Sequence, residues 1–289
     1  MRLGDNIRYR ELSIEDGVFV PDVGIDYPED DPLARLVPVN KQVDLKFDSG
    51  YPFLDDSIGF RIRRSIAYFL VFVVLFLANR LLYGIRYEGR SVLWHHRKEF
   101  RNGIISVSNH VYRWDGAAVA QALHHRLWVP MLSEHFEGPD RWNLKYFGGI
   151  PLPDESYGAN KKFNEAFDTH HKRREWIHVF SEARNWQFYK PVRPFQKGAF
   201  TMAYKYDAPV LPICISYRQR KGIYRLFGPQ QAPLLTVRIG EPVFPDLSQP
   251  RKSEVERLLR ETHASICRLG GITGNSWPAI WENDKGGSV

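Results

Sequence analysis

The chain is poor in cysteine and lacks most of the short signatures that announce a particular chemistry. Cys214 and Cys267 are its two cysteines, and neither belongs to a CxxC pair. That argues against a disulfide framework or a zinc ribbon and for a reducing compartment. No GxSxG elbow is present: Gly274-Asn275-Ser276-Trp277-Pro278 lacks the last glycine, which disfavours a serine hydrolase. A Walker loop and a GxGxxG turn are also missing, which removes the usual grounds for a nucleotide-binding reading. The doublets His95-His96, His124-His125 and His170-His171 come without an i, i+4 histidine pair and a carboxylate, so no metal site is expected. Residues 1–30 are acidic and have no apolar core segment, so no secretory signal is expected. Internal repeats, low-complexity tracts and recognisable nucleic-acid modules are absent as well.

What is present is basic and aromatic. The formal net charge of +7 favours contact with polyanions: nucleic acid, an anionic membrane surface or phosphorylated substrates. An apolar fraction of 43% with 14% aromatics suits a large core or a lipid-facing surface and excludes whole-chain disorder.

Composition divides the chain into four parts. Residues 1–58 are rich in Asp and Pro and read as an extended arm or cap with little helix. Residues 59–90 read as a helical segment, either membrane-associating or packed in the core, 91–270 as an α/β domain and 271–289 as a C-terminal tail. In the second part, Arg61, Arg63 and Arg64 precede the uncharged run 66–78. As a helix this run is about 20 Å long, short of a bilayer core of about 30 Å, although Arg80 can snorkel and let the helix reach Ile85. Two readings follow: a buried core helix, or a segment dipping into one leaflet with its arginines at the headgroups.

Beyond residue 100 short β-prone runs at 104–108, 177–180, 210–215 and 234–239 alternate with helix-compatible stretches at 116–124, 164–175, 198–206 and 253–269. Such alternation predicts an α/β fold with a mostly parallel or mixed central sheet covered by helices, and functional groups at strand ends.

At the end of the first of these runs stands Asn109-His110-Val111-Tyr112-Arg113-Trp114-Asp115. If a turn lies between His110 and Asp115, the carboxylate can fix one imidazole nitrogen and leave the other to take a proton. An alcohol attacking a thioester needs such a base, and no protein nucleophile is then required. The alternative is that Asp115 caps a helix and His110 is an ordinary loop residue. After the next run comes Ser181-Glu182-Ala183-Arg184, where an acid and an arginine can bind a phosphate or form a surface ion pair.

Over roughly residues 60–250 the order and spacing of these landmarks resemble the glycerolipid acyltransferase family typified by bacterial lysophosphatidic acid acyltransferase. Asn109-His110-x4-Asp115 matches its NHx4D motif, and Phe180-Ser181-Glu182-Ala183-Arg184 resembles a divergent FPEGTR motif. Phe195-Gln196-Lys197-Gly198-Ala199-Phe200 is similar to the FKKGAF segment, Pro209-Val210-Leu211-Pro212-Ile213 to the proline-bracketed fourth motif, and Gly240-Glu241-Pro242-Val243 to the exit from the next strand. The resemblance implies His110 as the base and Asp115 as its support, with Glu182, Arg184, Asn109, Lys197 and Gly149 shaping the substrate site. It implies no metal and no cofactor, with acyl-CoA or acyl-carrier protein as donor. The implied acceptor is a lysophospholipid, foremost 1-acylglycerol 3-phosphate, at an anionic membrane surface. It further implies a monotopic or peripheral cell-membrane protein whose site faces the cytoplasm.

This sequence departs from the pattern twice. Around Phe147-Gly148-Gly149-Ile150-Pro151 the second motif lacks its arginine, and in the third Ser181 and Ala183 replace proline and glycine, with Arg184 one position early. A different lysolipid acceptor, or a substitute charge from Arg141, Lys145, Lys161 or Lys162, would accommodate this. So would a non-catalytic lipid-binding protein of the same fold.

Overall fold

Ser57 starts the first long helix, its Oγ accepting a hydrogen bond from the Phe60 N–H at 3.2 Å. In the computed structural model, which describes residues 25–226 and 232–281 except 37 and 39, this helix is α1 (Ile58–Leu70). The backbone of a two-residue strand pair, β1 (Arg8–Tyr9) and β2 (Pro21–Asp22), is described too. Most of the arm's first 24 residues and the tail beyond 281 lie outside the described residues.

Helix α1 runs through a π-helical turn at Val71–Leu75 into α2 (Phe76–Leu82). The 25 residues Ile58–Leu82 are long and apolar enough to cross a membrane by length and composition. The helix begins eight residues before the expected run, and it is two-faced rather than apolar all round. Outward it exposes Ile58, Ile62, Ile66, Phe69, Val73, Leu77 and Leu81, a stripe at helical spacing. Inward it buries Phe60, Arg64, Tyr68, Val71 and Asn79. Arg64 therefore departs from the expected headgroup position: its guanidinium lies 3.7 Å from the Trp128 ring and donates to the Leu127 carbonyl at 2.9 Å. The Tyr68 hydroxyl accepts from Leu127 N–H at 2.6 Å and donates to the Phe147 carbonyl at 2.8 Å. At the π turn the Val71 carbonyl accepts from Gln121 Nε2 at 2.7 Å, and Asn79 donates to Gln121 Oε1 at 3.1 Å. Such a side chain inserted into the helical ladder is a recurrent companion of π-bulges.

The central sheet has seven strands: β3 (Arg86–Glu88), β4 (Ile105–Ser108), β5 (Leu127–Met131), β6 (Gly149–Pro151), β7 (Trp176–Phe180), β8 (Val210–Arg218) and β9 (Leu234–Ile239). Their order is β3-β9-β8-β4-β7-β5-β6, and every neighbouring pair is parallel except β8–β9. The mixed α/β class expected from the sequence is thus the one observed. The helices are α3 (Ser91–His95), α4 (Asp115–Leu123), α5 (Arg141–Phe147), α6 (Tyr157–Lys172), α7 (Gly198–Tyr206) and α8 (Arg251–Leu269). Two cores flank the sheet. One gathers Tyr68 and Val71 with Ala118, Ala122 and Leu123 of α4, and the other Phe167 of α6, Phe200 of α7 and Leu258 of α8.

The chain leaves β4 through α4 on the first face to reach β5, and leaves β7 through α7 on the second face to reach β8. Since β4 lies between β7 and β8, the crossovers diverge there, at a switch point where α/β sheets place their sites beyond the strand carboxyl ends.

Both chain ends join this frame. Tyr27 OH donates to the Gln187 carbonyl at 2.7 Å, and Trp186 Nε1 to the Ala34 carbonyl at 2.9 Å. Trp277, in the expected tail, is buried with Trp186 and Tyr189.

Replacing Tyr68 by Phe removes the hydroxyl that ties the long helix to β5 while keeping the ring. The expected loss is about 1–3 kcal/mol of stability, read as a lower midpoint in urea denaturation.

Candidate active site

His110 lies just past the end of β4, and α4 begins at Asp115 after a turn. That turn lets the two side chains meet: His110 Nδ1 is 2.6 Å from Asp115 Oδ2. The same carboxylate accepts from the N–H groups of Val111 at 3.2 Å, Tyr112 at 3.4 Å and Gly116 at 2.8 Å. Its place in the first turn of a helix also favours its negative charge. With Nδ1 held, Nε2 is the nitrogen able to take a proton. The imidazole is 21% exposed whereas Asp115 is 3% exposed, so the base meets the surface and its support does not. The Phe180 ring stacks on His110 with centroids 4.2 Å apart.

The loop after β7 closes against this turn. Trp186 N–H donates to the His110 carbonyl at 3.1 Å, and Phe188 N–H to Val111 at 2.8 Å. Asn185 donates to the Tyr112 carbonyl at 3.1 Å. Glu182 Oε2 accepts from the His110 backbone N–H at 2.8 Å, and Oε1 from the Arg193 N–H at 2.8 Å. The Arg193 guanidinium completes a buried pair with Glu182 at 3.2 Å, both side chains 1% exposed. It also donates to the Pro32 carbonyl at 2.8 Å and to the Arg184 carbonyl.

These placements revise several expected roles. Glu182 is enclosed and fully engaged, so it holds the histidine turn in place rather than lining a substrate surface. Asn109 makes a two-way bond with the Ile215 backbone, donating at 2.9 Å and accepting at 2.8 Å, and so fastens β4 to β8. Lys197 directs its ammonium to Glu256 of α8 at 3.0 Å. Gly149 is a packing position: a Cβ there would come within 2.8 Å of Met131 Sδ and 2.9 Å of the Leu144 carbonyl. Arg184 is partly open, 27% exposed, and pairs with Glu134 at 2.6 Å. Of the bases considered as substitutes for the missing arginine, Lys145 pairs with Asp55 and Lys161 lies 4.0 Å from Glu165. Ala183 adopts φ +62°, the left-handed conformation that explains why a glycine suits this position.

The sequence reading assigned no role to Arg193, Arg35 or His178. Arg35 belongs to the arm, and its guanidinium pairs with Glu134 opposite Arg184. His178, on β7 beside β4, is fully buried between Ser106 Oγ at 3.0 Å and Ser108 Oγ at 3.3 Å. Burial, helped by the charge of His110, pushes its pKa down to about 3. His135, in the turn Ser133–Glu137, is pushed down to about 4 by burial and by the charges of His110, Arg184 and Arg35. Both rings are neutral at physiological pH. Among the described residues there is no cluster of three or more His, Cys, Asp or Glu that could hold a metal.

A carboxylate-held imidazole at the switch point of a mixed α/β sheet is an arrangement able to take and return a proton at its free nitrogen. Residues 85–216 match the family model described as Acyltransferase. A solved structure similar to this chain is the 1-acyl-sn-glycerophosphate (LPA) acyltransferase PlsC of Thermotoga maritima. It is 18% identical, covers 73% of this chain and 84% of its own, and has a TM-score of 0.42. No curated protein matches the chain.

The depressed pKa of His178 carries a stability consequence. The unfolded chain binds a proton near pH 6.5 that the folded site refuses until about pH 3, so this contribution is complete above about 6.5 and is lost on acidification. Lowering the pH from 6.5 to 5 is expected to remove up to about 2 kcal/mol through this group. Urea midpoints at the two pH values should differ less in His178→Gln than in the wild type.

Proposed function

We propose that the protein transfers a fatty acyl group from a thioester donor to the free hydroxyl of a lysophospholipid, foremost converting 1-acylglycerol 3-phosphate to phosphatidic acid. The observation that carries this is the 2.6 Å contact between His110 and Asp115 inside an acyltransferase domain. His110 Nε2 removes the hydroxyl proton as the oxygen attacks the thioester carbonyl. Asp115 stabilises the resulting imidazolium, as in other carboxylate–histidine pairs. Collapse of the tetrahedral adduct forms the ester and breaks the C–S bond, and the imidazolium returns the proton to the thiolate. No covalent acyl-enzyme is needed. Acyl-CoA or acyl-carrier protein supplies the thioester on this reading.

Both lipid substrates partition into bilayers, so the site is proposed to work at a membrane surface. The outward stripe from Ile58 to Leu81 supports this, flanked by Arg61 and Arg63. Because the opposite face of the helix is bonded to β5 and, through Val71 of its π turn and Asn79, to α4, we read it as lying in one leaflet rather than crossing it. The protein is then monotopic, with its site on the cytoplasmic side.

In a purified assay with lysolipids and acyl-CoA, His110→Ala should lower the turnover by about 10²–10⁴-fold with its circular dichroism unchanged. Equal activity of the variant would sink the mechanism, and a folded wild type that acylates no lysolipid would sink the assignment. Converting Phe69, Val73 and Leu77 together to Ser should weaken sedimentation with anionic vesicles by at least about tenfold, since each loses apolar area available for insertion.

A further inference from the structure

Two guanidiniums from distant parts of the chain converge on one carboxylate beside the active site. Arg184, two residues after Glu182, donates to Glu134 Oε1 at 2.6 Å. Arg35, from the N-terminal arm, donates to the other oxygen, Oε2. All three side chains remain partly open, at 35% exposure for Arg35, 27% for Arg184 and 18% for Glu134. The backbone on each side is anchored to the same buried residue, since Arg193 donates to the carbonyls of both Pro32 and Arg184. Trp186 fixes the arm again at Ala34, next to Arg35. The arm is therefore docked so as to deliver this one cation.

We propose that Arg35 of the N-terminal arm joins Arg184, which the resemblance already implies in the substrate site, to grip the phosphate of the acceptor headgroup as a two-arginine clamp, with Glu134 aligning them. The clamp rests on the lysophospholipid reading for its ligand and goes beyond it by making the arm part of the substrate site. Each guanidinium has five N–H donors, and one contact to Glu134 leaves donors for a bidentate grip on phosphate. The trio carries a net charge of +1, and the adjacent His135 is neutral, so the cluster favours an anion over a neutral or cationic headgroup. Burial and then the nearby charge of Arg184 lower the Arg35 pKa, the condition in which an added anion is welcome. The clamp also answers the missing arginine of the second motif, from a part of the chain that motif reading does not inspect.

The test uses the full chain and two readouts. Binding of sn-glycerol 3-phosphate is followed by calorimetry, and KM is measured for 1-acylglycerol 3-phosphate and for monoacylglycerol of the same chain length. The wild type should bind glycerol 3-phosphate. Arg35→Gln should weaken that binding and raise the KM for the phosphate-bearing acceptor by about tenfold or more. The effect on the KM for monoacylglycerol should be smaller than that on the phosphate-bearing acceptor, and Arg35→Lys should recover part of the loss. If Arg35→Gln matches the wild type in binding and in KM, or lowers activity equally on both acceptors, the clamp is wrong while the reaction stands. If glycerol 3-phosphate binds in an Arg35-dependent way but no lysolipid is acylated, the clamp stands and the reaction is wrong. A wild type that does not bind glycerol 3-phosphate and shows no preference for the phosphate-bearing acceptor overturns the clamp.

Discussion

The buried pair of Glu182 and Arg193 is the constraint on which the site depends. Its carboxylate holds the backbone of His110, its guanidinium holds the arm at Pro32 and the loop at Arg184, and neither side chain meets solvent. Removing one partner of such a pair leaves the other charge buried, which typically costs about 3–5 kcal/mol. Here the damage would extend past stability, because His110, Arg184 and the arm all take their positions from it.

A second layer of support lies beneath the base. His178 is locked between Ser106 and Ser108, its ring meets Phe180 edge-on at 4.5 Å, and Phe180 in turn stacks on His110. A protonated His178 would place positive charge directly under the His110 imidazole. Burial keeps it neutral, so the column acts as a rigid apolar prop with its polar atoms satisfied by the two serines.

Much of the architecture was legible from the residues because alternation of β-prone and helix-compatible stretches is a local property. Helix α7 falls on the expected residues 198–206, and β9 on 234–239. Strands β3, β5 and β6 escape a reading by pattern, because β3 and β6 have only three residues each and prolines Pro130 and Pro151 interrupt β5 and β6. Helix α6 starts seven residues early because Ser156 caps it, its Oγ accepting from Ala159 N–H at 3.2 Å. In the site, the histidine–aspartate pair is close in sequence and could be read directly. Arg193, His178 and Arg35 act through contacts 11, 72 and 99 residues away, and no pattern of spacing reveals those. Arg64 illustrates the same limit. Beside Arg61 and Arg63 it looks like part of a basic collar, and only the helical phase, with Arg64 on the face shared by Tyr68, turns it inward.

The π turn has a consequence for how the enzyme would meet its substrate. Gln121, which bonds its Val71 carbonyl, sits six residues after Asp115 on α4, a rise of about 9 Å. The greasy stripe and the His110 imidazole are thus bolted to a single short rod. With the stripe immersed, an acceptor could present its hydroxyl while its tail stayed among neighbouring lipids. Turnover would then follow the crowding of lysolipid within the leaflet rather than its concentration in the surrounding water.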